Sequence, residues 1–220
     1  MGVDWGFVKD AIPLYEKAAL LTLKIAFFGI VLSIIIGFLC SIILYFKVKI
    51  LDKIVQAYIE LSRNTPLLIQ VFFLYFGFPK VGVKMSEITC AVIGLSFLGG
   101  SYMAEAFRSG LEAVSKSQIE GGISIGLSKT QLIRYVIIPQ AIRRMLPGTI
   151  NLATRMIKTT SLVVLIGVID VVKVGQQIIE TSRFQFPAAS FWIYGFIFFL
   201  YFIICYPLSK ISKVLEKKWS

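Results

Sequence analysis

Charged and hydroxyl side chains interrupt two apolar stretches of this 220-residue chain, and they bound its chemistry. The first stretch, residues 54–78, carries Glu60, Arg63, Asn64 and Thr65 just before Pro66. The second, residues 147–169, carries Arg155, Lys158, Thr159, Thr160 and Ser161. A charge at the bilayer centre costs about 2.5–3.5 kcal/mol on insertion scales, so such residues face a cavity or a counter-ion. Arg63 and Lys158 offer cations for a carboxylate, and Glu60 offers an acid for an ammonium or guanidinium. Together they suit a zwitterion. The structural alternative is an ion pair of Glu60 with Arg63 or Lys158. Pro66 lacks a donor and clashes with the carbonyl of Ser62, so the helix bends or unwinds there. Broken helices at mid-bilayer expose backbone groups that solvate a charged ligand. Covalent and metal chemistry fit poorly. His is absent, and Cys40, Cys90 and Cys205 have no metal or redox spacing. An intramembrane hydrolase would lack its nucleophile and base.

These residues must be positioned by membrane helices. The chain is 57% hydrophobic with a mean hydropathy of +0.81, above the roughly 45–50% apolar content of soluble domains. Residues 20–46, 54–78, 87–107, 147–169 and 187–209 are each close to the about 20 apolar residues a spanning helix needs. Open sheets cannot cross lipid, because their edge groups go unpaired. The expectation is an all-α integral membrane protein with about five spans and one domain, 1–220. A polar loop with Gln176, Gln177, Glu180 and Arg183 separates the last two spans. Residues 1–19 read as an interfacial segment with Trp5 at headgroup depth, or as a frayed terminus, and not as a secretory signal.

The formal charge of +11 admits nucleic acid as a partner, but the cations flank apolar spans, so the reading is topology and no nucleic acid. Thirteen lie on one side, among them Lys47, Arg108, Lys129, Arg143 and the four tail lysines, against six on the other. The positive-inside rule makes the richer side cytoplasmic. The amino terminus is then outside and the carboxyl terminus inside, which requires an odd number of spans.

Residues 109–147 form the longest polar interval, and they fall on the cytoplasmic side. Gly126 fits a left-handed helix stop. Ser128 fits an N-cap, with Gln131 completing a capping box. Gly122 and Gly126 are four apart, a spacing that on one helical face admits a close neighbour. Pro139 kinks or ends the returning helix. The shape is a short helix, a tight turn and a returning helix. Gly121 and Gly126 have the spacing of a phosphate-loop start, but Leu127 stands where that loop requires Lys, and no strand precedes it.

The interval resembles the EAA loop of ABC importer permeases. Glu120 is the Glu, Gly126 the Gly, and Val136-Ile137-Ile138-Pro139 the ending, with Gly121 and Gly122 in place of two alanines. Residues 60–70 resemble the RNTP-LL-Q span of the polar amino-acid permeases, the His/Gln/Arg/Glu group. Residues 101–108 are similar to its AYxAExxR span. Ile157-Lys158-Thr159-Thr160-Ser161-Leu162 is similar to its IKDTSL, with Thr159 where Asp is usual. An arginine/lysine/histidine permease looks closest among its members. The resemblance implies a type I ABC importer permease in a bacterial inner membrane, with a coupling-helix hairpin. It implies a substrate site built from Glu60, Arg63, Asn64, Thr65, Met103, Lys158, Thr160 and Ser161. It implies ATPase docking on residues 112–139 through Glu120, Gly121, Gly122, Gly126, Leu127 and Ser128. The implied partners are an ABC ATPase that uses ATP and Mg, an extracytoplasmic amino-acid-binding protein, and a second copy or a paralogue. No cofactor binds this chain itself. Glu105 and Arg108 read as anchors or an interspan pair. A stand-alone channel or ion-coupled carrier is the alternative, since it would share the broken helix.

Overall fold

The computed structural model describes residues 5–182 and 186–219, with side chains from Ile12 onward. Every regular element among them is helical: α1 (Trp5–Tyr45), α2 (Leu51–Arg63), α3 (Leu67–Phe72), α4 (Glu87–Glu112), α5 (Lys116–Ser124), α6 (Lys129–Leu132), α7 (Ile138–Thr159), α8 (Val171–Ser182) and α9 (Ala189–Trp219). Wide π turns at Phe73–Gly77 and Ile133–Ile137 and tight 3-10 segments at Phe78–Val81 and Thr160–Ile166 join some of them.

Of the five expected spans, three are unbroken helices long and apolar enough to cross a bilayer: Ile12–Tyr45, Glu87–Glu112 and Ala189–Trp219. The other two are interrupted. Lys129–Ile166 and Val171–Ser182 qualify only as a pair, bent by 50° at the break between them. The stretch 54–78 is divided between α2 and the shorter apolar segment Leu67–Val81. α2 is amphipathic: Val55, Ile59 and Ser62 are buried, while Lys53, Gln56, Glu60 and Arg63 are exposed. The break at Pro66 is locally satisfied. The Asn64 N–H and side-chain amide both donate to the Glu60 carbonyl, at 3.0 and 2.8 Å. The Thr65 hydroxyl donates to the Leu61 carbonyl at 2.8 Å. α3 restarts with the Ile69 and Gln70 N–H groups on the Pro66 carbonyl.

Two expectations are corrected. α1 runs unbroken from Trp5 to Tyr45, so no separate interfacial helix precedes the first span among the described residues. Gln176, Gln177 and Glu180 lie in α8 and not in a loop, whereas Arg183 is outside the described residues. The polar residues masked an apolar stripe of Val171, Val174 and Ile178, all buried. Asp170 starts that helix: its Oδ1 accepts the Val172 and Lys173 N–H groups at 3.1 and 2.9 Å, an N-cap arrangement.

The chain forms two compact units, each from three stretches of sequence. One comprises residues 1–29, 66–95 and 156–206; the other comprises 30–65, 96–155 and 207–220. In the first, Tyr15 and Ala18 of α1 pack with Val171, Val174 and Ile178 of α8 and with Ala189, Ile193 and Ile197 of α9. In the second, Cys40 and Leu44 of α1 pack with Val55 and Ile59 of α2 and Ala104 of α4. There α1 meets α4 closely at Gly37, where an added Cβ would sit 2.4 Å from the Met103 Cβ. Gly37→Ala is expected to destabilise the protein by about 1–3 kcal/mol through overpacking, read as a lower thermal midpoint in detergent. Gly195→Ala in α9, where an added Cβ meets nothing within 4 Å, leaves the midpoint unchanged or raised. Equal midpoints for Gly37→Ala and wild type would contradict the close contact.

Candidate functional site

The site residues of the second unit gather where α2 docks on α4. The Tyr58 hydroxyl donates to the Phe97 carbonyl at 2.6 Å, and the Ser62 hydroxyl donates to the same oxygen at 3.0 Å. The Tyr58 and Phe97 rings meet edge to face at 5.0 Å. Two bonds one helical turn apart fix the rotation and register of α2. Arg63, the next residue after Ser62, is thereby delivered to Tyr102 of α4, with its guanidinium carbon 5.0 Å from the ring centroid. The Arg155 guanidinium carbon, from α7, lies 5.6 Å from the same centroid.

Glu60 is exposed and forms no ion pair with Arg63 among the described residues. Asn64 and Thr65 spend donors on helix carbonyls. Met103 has no exposed surface and packs against α1 at Gly37. Its observed role is therefore packing, and Tyr102 beside it presents the ring. Sequence reasoning singled out Arg155 as an intramembrane charge without giving it a role and passed over Tyr102, because only the folded chain brings residues 63, 102 and 155 together. Arg108 bonds Glu105 and, at 2.7 Å, Glu112, all on α4, so this group is paired within its own helix.

Lys158, Thr160 and Ser161 belong to the other unit. Lys158 is exposed in the last turn of α7. The Thr160 hydroxyl is buried and donates to the Ile157 carbonyl at 2.7 Å; that of Ser161 donates to Lys158 at 2.9 Å. These bonds close the end of α7 as the chain tightens into the 3-10 segment, which stops at Gly167 with φ +93°.

The polar interval folds as the expected hairpin. After α5, Gly126 takes φ +83°. The Leu127 N–H donates to the Gly122 carbonyl at 3.1 Å and the Gly126 N–H to Ile123 at 2.9 Å, the paired bonds of a Schellman stop. Ser128 then caps α6: its hydroxyl accepts the Gln131 N–H at 3.4 Å, and the Gln131 side chain accepts the Ser128 N–H at 2.9 Å. The interruption expected at Pro139 is the π turn Ile133–Ile137, after which α7 starts at Ile138. Val114, Leu132, Ile137 and Ala141 form the hairpin core. Gln140 donates to Gln118 at 2.5 Å, tying α7 to α5.

The glycines divide their work differently from expectation. Gly122 is buried, and an added Cβ would meet the Leu132 Cδ1 at 2.5 Å. Its small size serves the returning helix and not an external partner, and half-buried Leu127 packs against the same core. Gly121 and Gly126 are open, with nothing within 4 Å of an added Cβ. The outward tip is thus Glu120, Gly121, Gly126 and Ser128 with the exposed apolar Ile123 and Ile125, the latter 78% exposed. Gly121→Ala is expected to stabilise α5 by about 1 kcal/mol and slow amide exchange over residues 116–132. Gly122→Val speeds that exchange by forcing α5 off α6. The reverse order would contradict this assignment.

Comparison with known proteins agrees with this architecture. Residues 20–220 match the family described as binding-protein-dependent transport system inner membrane component. A probable amino-acid ABC transporter permease, PatM of Vibrio harveyi, is 35% identical, covering 97% of this chain and 98% of its own. The glutamine transport system permease GlnP of Escherichia coli K12 is 36% identical, covering 99% and 98%. The crystal structure of an amino acid ABC transporter with histidines superposes with a TM-score of 0.88 at 30% identity, over 99% of this chain and 100% of that one. The MetNI methionine transporter, at 16% identity and a TM-score of 0.70 over 93% and 97%, shares the fold. The relatives' names refer to glutamine or to amino acids in general, so the finer likeness to arginine/lysine/histidine permeases is not carried by them. The chain belongs to the family of inner-membrane components of binding-protein-dependent transport systems and has the type I importer permease fold.

Proposed function

We propose that this chain is the translocation subunit of an ATP-driven importer of polar amino acids, with a basic amino acid as its substrate. Two copies of the chain face each other and form the path. An extracytoplasmic binding protein delivers the amino acid. ABC ATPase subunits dock on the hairpin and use ATP and Mg, while this chain does no covalent chemistry. The amino terminus lies outside and the carboxyl terminus in the cytoplasm, following the excess of Lys and Arg on the hairpin side.

The observation that carries this reading is the doubly capped hairpin with an open tip. A channel or an ion-coupled carrier has no need of one. Glu120, Gly121, Gly126, Leu127 and Ser128 sit at or just behind a surface where backbone and Ile125 are presented without bulk. Displacement of α5 reaches α7 through the hairpin core and the Gln118–Gln140 bond. α7 is one continuous helix from Ile138 to Thr159, so it carries that displacement to Arg155 and Lys158. Within one unit, Glu60, Arg63, Asn64 and Thr65 suit a zwitterion with a basic side chain; Lys158, Thr160 and Ser161 of the other unit offer a further cation and two hydroxyls. Glu60 serves the basic side chain, and a cation such as Arg63 serves the carboxylate.

Gly126→Val or Glu120→Trp, in complexes that still assemble, is expected to abolish stimulation of the ATPase by the loaded binding protein and to stop uptake. Wild-type stimulation in both variants would overturn the docking assignment. In vesicles carrying the wild-type complex, arginine competes better than glutamine or glutamate for uptake, and a preference for glutamate would contradict the basic substrate.

A further inference from the structure

Three helices of the unit that carries the hairpin leave a cavity between them. α4 and α7 meet at Gly110, where an added Cβ would sit 2.9 Å from the Met145 Cβ. α7 and α9 meet where the buried Ser212 hydroxyl donates to the Pro147 carbonyl at 2.8 Å. Next to these contacts the cavity holds about 460 Å³, a volume ordinary for a ligand site. Ser109 of α4, Arg143 and Arg144 of α7, and Glu216 and Trp219 of α9 line it. Arg143, Arg144 and Glu216 are exposed, and neither arginine forms an ion pair among the described residues. One carboxylate against two guanidiniums leaves the lining with one net positive charge.

The position of the cavity says which anion meets it. The apolar run of α9 gives way here to exposed Lys213, Lys217 and Lys218, and Trp219 ends the helix. Tryptophan and cations at the end of a spanning helix mark headgroup depth. Ile142, Ile211 and Val214, on neighbouring turns of α7 and α9, are exposed and apolar, a surface that suits acyl chains and is of no use to a soluble ion. A phosphodiester accepts paired N–H bonds from a guanidinium fork, and the indole N–H is a further donor. Its single negative charge matches the net charge of the lining. Basic pockets between helices at the cytoplasmic face suit such headgroups. We propose that the cavity bounded by Arg143, Arg144, Glu216 and Trp219 binds the headgroup phosphate of an anionic phospholipid. The choice of inner leaflet rests on the orientation given above; the binding chemistry does not. Arg143 lies within a turn of Ala141 in the hairpin core, so the lipid anchors the start of the helix that Gln140 ties to α5.

The test uses the permease with its ATPase, in a version that keeps Trp219 as its only tryptophan. The complex is placed in bilayers of phosphatidylethanolamine with a minor share of phosphatidylglycerol. One lipid at a time carries bromine near its headgroup, which quenches Trp219 fluorescence on contact. Brominated phosphatidylglycerol is expected to quench as though enriched about fivefold over its share of the bilayer, the scale of one net cation at a membrane surface. Brominated phosphatidylethanolamine shows no enrichment. Arg143→Gln combined with Arg144→Gln returns phosphatidylglycerol to its bulk share. Glu216→Gln raises its enrichment, a gain that damage to the fold would not give. Exchange of chloride for inorganic phosphate at equal ionic strength leaves the enrichment in place. Bulk-level quenching in the parent protein, enrichment of phosphatidylethanolamine instead, indifference to the double replacement, a fall with Glu216→Gln, or displacement by inorganic phosphate would each overturn the site. Binding is read without uptake or ATP, so absence of transport counts against the importer reading alone.

Discussion

A single carbonyl oxygen, that of Phe97 in α4, accepts the hydroxyls of both Tyr58 and Ser62. Reaching across makes the short amphipathic α2 a fixed part of the α4 surface. α2 ends at the Pro66 break and lacks the continuous apolar length that would anchor it in lipid. The cross-helix bonds, together with Val55 and Ile59 in the apolar core, replace that anchor. The geometry of Arg63 over Tyr102 follows from this register.

The hairpin is built on a different economy. Its core is small, so its shape depends on ends: a Schellman stop at Gly126 and a capping box at Ser128. Loss of an N-cap costs about 0.5–2 kcal/mol, which is large for an element of this size. The rigidity so obtained is useful only because α7 leaves the hairpin core and continues without a break to Thr159. The π turn Ile133–Ile137 lies just before Pro139 in a helix that runs on from Lys129, and this widening of the ladder accommodates the missing N–H of the ring.

Local signals were legible in the sequence, and lateral ones were not. Pro66, Gly126 and the Ser128–Gln131 pair act through their own neighbours, and each falls where its chemistry puts it. Apolar length located the membrane segments, yet it could not tell an unbroken helix from one interrupted at Pro66 or Gly167. Polar Gln176, Gln177 and Glu180 made α8 look like a loop, although its buried stripe was present at helical spacing. The face of a glycine is also a tertiary property: Gly121 and Gly122 are identical in sequence, and only packing against Leu132 separates them. For the same reason Met103 was expected at a cavity and is in the core, while Tyr102 and Arg155 went unassigned.

The central claim is that the broken helix and the hairpin are two ends of one device, and that the path opens only when a partner moves the hairpin. Uptake of radiolabelled L-arginine into proteoliposomes tests it most directly, comparing this chain alone with the chain assembled with its ATPase and binding protein. Accumulation against a gradient is predicted for the full assembly with ATP, and no flux for the chain alone. Substrate-specific flux through the chain alone would contradict the account.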